Sequence, residues 1–383
     1  MKKKIIIISP NYLPQENGLA MYTHCFAEQC AKFHDVFIIT SSDDNIHPVP
    51  QDKVFRVVSN WHGLDLLKIL KISKKLGADH LLFQYVPYMY SKRAGINFSL
   101  PMLILILRLC GRAKIQIMYH ELYYPKHFNV KAMILHHVHK GMLFFSALFA
   151  HTLYASTEYF QQKILALLPW KKVHHLPVGS NIPKINLSPT DEEELRKTIS
   201  PEEVRIIGLF GSFHPSKNIK LVLQNLLDIA DQQKNIKILY IGATLTELKA
   251  EVDSSYHELL KTYIYPTGFL STAHVGEYLC LLDGMLAYFS DGISTRRGSM
   301  LAAMQLGIPI LSTQTSYTDS LLLGQDFLTL VNADEVTFPA ALKRKISQGW
   351  PKNLPADSKE REIAFYKRHF SWGEIVKKFL STI

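Results

Sequence analysis

Apolar runs of four to eight residues recur along the chain, separated by longer stretches in which apolar residues return every three or four positions. The short runs read as buried parallel strands and the longer stretches as helices covering a sheet. In the first half the strand candidates are KIIIIS (4–9), VFIITS (36–41), HLLFQYV (80–86) and KIQIMYH (114–120), with a shorter one at HTLYAS (151–156). Between the first two, residues 20–33 repeat at helical spacing. Residues 184–203, with two prolines and the acidic run DEEEL, then read as a linker with one short helix. A second series follows with VRIIGLFG (204–211), KILYIG (237–242), YIYPTG (263–268), GMLAYF (284–289) and IPILST (308–313). The tail HFSWGEIVKKFLSTI (369–383) is amphipathic, and its Trp372 needs a surface to pack on. The pattern predicts an α/β protein of two doubly wound, Rossmann-like halves, 1–184 and 185–365, followed by a terminal helix in 366–383.

Composition narrows this little. An apolar fraction of 47% with 20% charged residues is that of an ordinary globular protein. No run approaches the ~18 apolar residues of a membrane span. PMLILILRLC (101–110) and GMLFFSALFAH (141–151) are interrupted by Arg108 and His151 and read as buried helices. MKKKIIIISPNY opens like a secretory signal, but its apolar run stops after four isoleucines and reads as a strand. Cysteines 25, 30, 110 and 280 have no metal or disulfide spacing, which points to a reducing cytoplasm and no zinc site.

Charge changes the picture more. Up to residue 180 there are 21 Lys and Arg against 10 Asp and Glu, and beyond it 22 against 23, so the formal +10 resides in the first half with 13 of the 17 histidines. Such a bias suits an anionic partner, although a solvated basic surface has the same signature. The interleaved basic and aromatic pattern of a nucleic-acid binder is missing.

Ligands of parallel sheets collect at the carboxyl ends of strands, where helix N-termini aim backbone N–H groups outward. Four loops of unusual composition fall at such positions. After the first strand, Asn17-Gly18 permits a tight turn with positive φ before a helix beginning near Ala20. His120 and Glu121 end another strand, where a histidine can hydrogen-bond a sugar hydroxyl or phosphate, or titrate near neutrality. In GLFGSFHPSKN, Gly208 and Gly211 bracket a strand end and Lys217 sits where a helix begins. In SDGISTRRGS, Gly292 breaks a strand, Ser294 or Thr295 can cap the next helix, and Arg296 and Arg297 fall in its first turn. Cations are misplaced at helix N-termini, and a bound diphosphate would resolve the conflict in both loops. Each feature has a plainer reading as well: a common turn, a satisfied histidine, arginines matched by nearby acids. No G-x-x-x-x-G-K-[ST], no G-x-G-x-x-G after the first strand, no G-x-S-x-G and no H-E-x-x-H is present, which disfavours the corresponding ATPases, dehydrogenases, hydrolases and metalloproteases.

Taken in order, these motifs resemble those of GT-B glycosyltransferases, and of glycosyltransferase family four in particular. The likeness runs through NYLPQENGLAMYTH, His120-Glu121, VHHLPVGSNIP (173–183), GLFGSFHPSKN, LAAMQLGIPILST and the final FSW before a helix. It implies two Rossmann-like domains with an inter-domain cleft, the first for the acceptor and the second for a nucleotide sugar, and a terminal helix that returns to the first domain. It implies a retaining transfer from a nucleoside-diphosphate sugar to a glycan or lipid-linked acceptor, with no metal and no cofactor, in cell-envelope polysaccharide or glycoconjugate synthesis. His120, Lys217 and Arg297 take the catalytic places, and Asn17, Gly18, Gly211, Ser212, Thr267, Gly292, Ile293, Ser294 and Ser299 those of donor binding. The chain departs from the family where an arginine gives way to Ser212 and two glutamates to Ser294 and Ala302; the loop DGISTRRGS is similar to that of a subset in which Arg297 would supply the missing cation. Those departures leave open a catalytically degenerate protein that binds a glycan or a partner transferase. The basic first half suits a lipid-linked phosphate at the inner membrane face, with Lys126, Lys131 and Lys140 beside an apolar helix.

Overall fold

The computed structural model describes residues 2–15, 17–42, 53–91, 95–124, 130–200, 202–352 and 354–383; Lys126 lies outside them. The chain forms two compact units, Met1–Val178 with Trp372–Ile383, and Gly179–Ser371.

The first unit holds seven parallel strands: β1 (Lys4–Ile8), β2 (Asp35–Ser41), β3 (Val54–Val58), β4 (His80–Tyr85), β5 (Lys114–Tyr119), β6 (Thr152–Ala155) and β7 (Val173–His175). Their order is β3-β2-β1-β4-β5-β6-β7. β4 is buried along its whole length and β1 along all but its first residue, as strands covered on both faces must be. The helix Gly18–Ala31 follows β1, and the terminal helix Trp372–Leu380 lies against it. Trp372 meets Tyr22 edge-on with ring centroids 5.2 Å apart, Phe379 meets Phe26 at 5.1 Å, and Tyr154 Oη and Thr382 Oγ1 are 2.5 Å apart.

The second unit holds six parallel strands: β8 (Arg205–Phe210), β9 (Ile236–Ile241), β10 (Ile264–Pro266), β11 (Gly284–Ala287), β12 (Ile310–Gln314) and β13 (Leu328–Asn332). They are ordered β10-β9-β8-β11-β12-β13, so strand order reverses at the β8/β11 pair. Loops that diverge after two such strands leave a crevice between them. The acidic run before β8 is the helix Pro189–Ile199, capped by Ser188 Oγ.

Three expectations need correction. The strands β3, β7 and β13 went unread; all three are sheet edges, half exposed and without the long apolar run of a central strand. Gly18 is the first residue of its helix and has no positive φ, because Asn17 Oδ1 accepts from Ala20 N at 3.0 Å and that side-chain cap makes the turn. The helices Ser99–Cys110 and Val130–Phe149 are only partly buried: Met102, Leu109, Val130, Met133, Ile134 and Phe145 are exposed.

Candidate functional site

The loops after β8 and β11 leave neighbouring strands of the second sheet and are tied together, Ser290 N donating to Ser216 O at 2.7 Å. In the first loop Gly211 adopts φ +100°, and a Cβ there would stand 2.9 Å from Lys217 Nζ. That space is what the lysine uses. Its Nζ folds back over the strand end to donate to Phe210 O at 3.1 Å and Ser212 O at 2.9 Å. An ammonium has three N–H donors, so one remains for another acceptor. Burial, then the nearby Arg297 guanidinium, lower the Lys217 pKa to about 8. Lys217 closes a short 3₁₀ turn, Pro215–Lys217, and the helix Ile219–Gln233 starts after Asn218, whose side chain caps it.

In the second loop Asp291 is the organising residue. Its carboxylate accepts from Arg296 Nη2 at 3.2 Å and, through its other oxygen, from Arg297 Nη2. The Arg297 guanidinium also stacks on Phe289, 4.1 Å from the ring centroid, which fixes it in place. Gly292 turns the chain at φ +79°, and a Cβ would come within 2.7 Å of the hydroxyls of both Thr315 and Thr318. Thr315 Oγ1 in turn donates to Asp291 O at 2.8 Å.

The helix expected to begin near Ser294 is Gly298–Leu306, with Arg297 at its N-cap, so neither arginine lies in its first turn. Ser294 and Thr295 do not cap it. Thr295 gives both its N–H and its hydroxyl to Asp319 Oδ2, at 2.7 and 3.0 Å, and Ser294 is buried with no hydrogen-bond partner for Oγ. The expected donors Gly292 N and Ile293 N are spent on Phe289 O and Thr313 O, and the Ile293 side chain is fully buried. The first intrahelical bond is Leu301 N to Arg297 O at 3.1 Å. Gly298, Ser299 and Met300 therefore carry the N–H groups with no acceptor in their own helix. A Cβ on Gly298 would meet nothing closer than Asn181 Oδ1 at 3.7 Å, so the helix end is open to a ligand. Lys217, Phe289 and Ser299 line one cavity of about 20 Å³, room for a single water.

Ser212 is exposed beside Lys217, and its carbonyl is the group engaged. Thr267 is turned inward: its Oγ1 donates to Gly268 O at 2.8 Å and accepts from Gly242 N at 3.2 Å, shaping the turn that abuts Gly211. Ala302 is 1% exposed, so the side chain at that position belongs to the core.

In the first unit His120 follows β5. Its Nε2 donates to Gln84 Oε1 at 2.7 Å and Tyr22 packs edge-on at 4.5 Å. Burial lowers its pKa to about 3, so it stays neutral throughout the physiological range rather than titrating near neutrality. Gln84 is fully buried at the end of β4 and its Nε2 has no partner. Asn17 caps its helix, and Gly18 has open space around its Cα. Among the described residues no group of three or more His, Cys, Asp or Glu is placed to hold a metal ion. No described helix is long and apolar enough to cross a membrane.

Solved structures place this architecture. A sucrose-phosphate synthase from Thermosynechococcus elongatus superposes over 100% of this chain and 98% of its own with a TM-score of 0.73 at 15% identity. HepE from Anabaena, solved with UDP and glucose, covers 99% of each chain with a TM-score of 0.71 at 14% identity. The fold is GT-B. WaaG, a glycosyltransferase of lipopolysaccharide biosynthesis, shares it with a TM-score of 0.67 at 13% identity over 99% of each chain. No sequence family and no curated protein sequence matches the chain. Within this GT-B fold Lys217 and Arg297 come together at the β8/β11 switch point of the second sheet, as their places at two strand ends suggested. The plainer reading, arginines matched by nearby acids, holds as well: Asp291, five and six residues before them, is that acid.

Proposed function

We propose that the protein is a glycosyltransferase that takes its sugar from a nucleoside diphosphate, with UDP the first nucleotide to test. The observation that carries this reading is the pairing of Lys217 and Arg297 beside an open helix start at the β8/β11 switch point. Two fixed cations and the N–H groups of Gly298, Ser299 and Met300 suit a diphosphate, and neighbours of the same fold were solved with UDP. The family-four assignment, the retaining course and the envelope role belong to the same proposal.

On this reading the bond from the sugar's anomeric carbon to the β-phosphate oxygen breaks while the acceptor oxygen bonds the same face. The acceptor proton passes to the departing phosphate oxygen. Lys217 and Arg297 stabilise the charge that gathers on that phosphate, so the side chains themselves supply the cations the step requires. Ser299 and Ser212 contact the nucleotide. His120, with its proton held on Nε2 by Gln84, leaves Nδ1 as an acceptor for a sugar hydroxyl.

The acceptor is a glycan or a lipid-linked sugar, reached from the cytoplasmic face of a membrane. Exposed Met102, Leu109, Met133, Ile134 and Phe145, with Lys131 and Lys140 on the same pair of packed helices, support interfacial binding. Flotation with phosphatidylglycerol vesicles should recover the protein and phosphatidylcholine vesicles should not; equal recovery removes the membrane surface from the reading.

A second reading, a GT-B protein that binds without catalysing, is favoured by one feature, the occupation of both guanidiniums by Asp291. Calorimetric titration of the full chain with UDP, GDP and ADP, then with their glucose conjugates, separates the two. Saturable binding of one nucleotide supports the transferase, and no binding of any supports the alternative.

A further inference from the structure

At the opposite end of the first sheet, under the amino ends of β5, β6 and β7, lies a second concavity of about 750 Å³. Along β5 its lining residues Gln116 and Lys114 lie about 13 and 20 Å from His120, toward the end of the strand opposite the sheet's carboxyl edge. Its size is that of a small-molecule site. The lining includes Lys114, Lys171, Lys172, His151, His174 and Trp170, and among the described residues no acidic side chain lines it.

These groups are differently committed. Lys171 is structural, its Nζ donating to Leu148 O at 2.6 Å and Ala150 O at 2.7 Å at the end of the helix Val130–Phe149. Lys114 and Lys172 are exposed, and their ammonium groups make no hydrogen bond or ion pair among the described residues. Both histidines bear the cost of that crowding. Burial, then Arg108, Lys171 and Lys114, hold His151 below its ordinary pKa; burial, then Lys378 and Lys172, do the same to His174. An anion in the concavity would offset the mutual repulsion of its lining cations.

Two further observations narrow the ligand. Gln116 lines the concavity, is 1% exposed, and directs its amide Nε2 to His80 Nδ1 at 2.9 Å; its Oε1 has no partner. A buried acceptor left unpaired is costly, and a hydroxyl satisfies it. Trp170 is 67% exposed beside it, an aromatic face without a cover. Cations for an anionic group, an acceptor for a hydroxyl and a flat apolar face for a ring are the three requirements of one ligand class.

We infer that this concavity binds a saccharide bearing a carboxylate or phosphate, separately from the donor site. Such a site would hold a charged glycan, or a sugar-phosphate headgroup, on the unit that carries the chain's basic excess. It stands whether or not the second unit binds a nucleotide.

The test uses the full chain with trigalacturonate as anionic probe and maltotriose as neutral control, read by calorimetry and by tryptophan fluorescence. Trigalacturonate should bind, and maltotriose should bind about tenfold or more weakly. The double substitution Lys114→Ala, Lys172→Ala should weaken trigalacturonate about tenfold, the scale of losing two exposed ion pairs. Trp170→Phe should abolish the fluorescence change, since Trp61 and Trp350 are buried and Trp372, packed on Tyr22, does not line the concavity. Nucleotide binding should be untouched by these variants, and Lys217→Ala should leave trigalacturonate binding as it was. Competition by phosphatidylglycerol vesicles supports the site and assigns its ligand to a headgroup. Equal binding of the two trisaccharides, tighter binding of hexathymidylate, or indifference to the lysine pair each overturns the inference.

Discussion

The carboxyl edges of the two sheets are built from opposite materials. In the first unit the group at the edge is neutral: His120 is held uncharged by burial among Gln84, Tyr22 and Tyr85, with Glu121 next in the chain. In the second unit it is ionic: Arg296 and Arg297 are held by the carboxylate of Asp291, and Lys217 lies near Arg297. The basic excess of the sequence would place the cations in the first half. The structure puts the organised ones in the second, because a cation counts for ligand binding only where the fold immobilises it. Gly211 makes room for Lys217 to bend over a strand end, and Phe289 gives Arg297 a ring to rest on. Most lysines of the first unit have no such support and remain on long, solvated stems.

The contrast can be broken most decisively at Lys217. Lys217→Ala should reduce turnover ~100-fold or more, the scale of losing one transition-state electrostatic donor. Initial rates at saturating donor sugar measure this, and a near-normal rate would remove Lys217 from the mechanism. Asp291→Asn works in the other direction. It frees both guanidiniums from their internal counter-ion, and UDP affinity should rise about threefold to tenfold, the value of one partly screened ion pair. Unchanged affinity by calorimetry would show that the ligand and Asp291 do not compete.

The two edges should also differ in pH response. Lys217 has a lowered pKa, about 8, in the free protein. A bound diphosphate raises it, so binding near pH 8 takes up protons, is flat in strength at lower pH, and weakens as pH rises through 8. Titration in buffers of different ionisation enthalpy reads the uptake; none at pH 8.5 contradicts a role for this ammonium. His120 is depressed to about 3 and should add no inflection between pH 5 and 9. Its neutral folded form costs stability only as pH falls below the unfolded value of ~6.5, so His120→Gln should slightly lower the pH of acid unfolding, visible by circular dichroism.

How much of this was legible depended on whether the cause was local. Central strands such as β4 and β5 announce themselves because both faces are buried and the run is apolar but for one glutamine inside each. The edges β3, β7 and β13 borrow their pairing from a neighbour and leave little mark on their own residues. The same distinction holds in the site. Lys217 and Arg297 were readable from their places at strand ends, whereas the true helix start was not. Thr295 is withdrawn from capping by Asp319, which lies 24 residues further along and arrives from the loop after β12. Gln84 could have been found, since a glutamine inside HLLFQYV has no business in an apolar strand unless something distant requires it. That requirement is His120, 36 residues away.

The bond from Ser290 N to Ser216 O gives the second unit a property that neither loop has alone. Segments 211–217 and 290–297 are stitched at one point, so lengthening or replacing the first pulls on the entry to the second. Evolution and engineering alike must then move them as a pair: a graft that carries one loop from a relative without the other would arrive with its seam open.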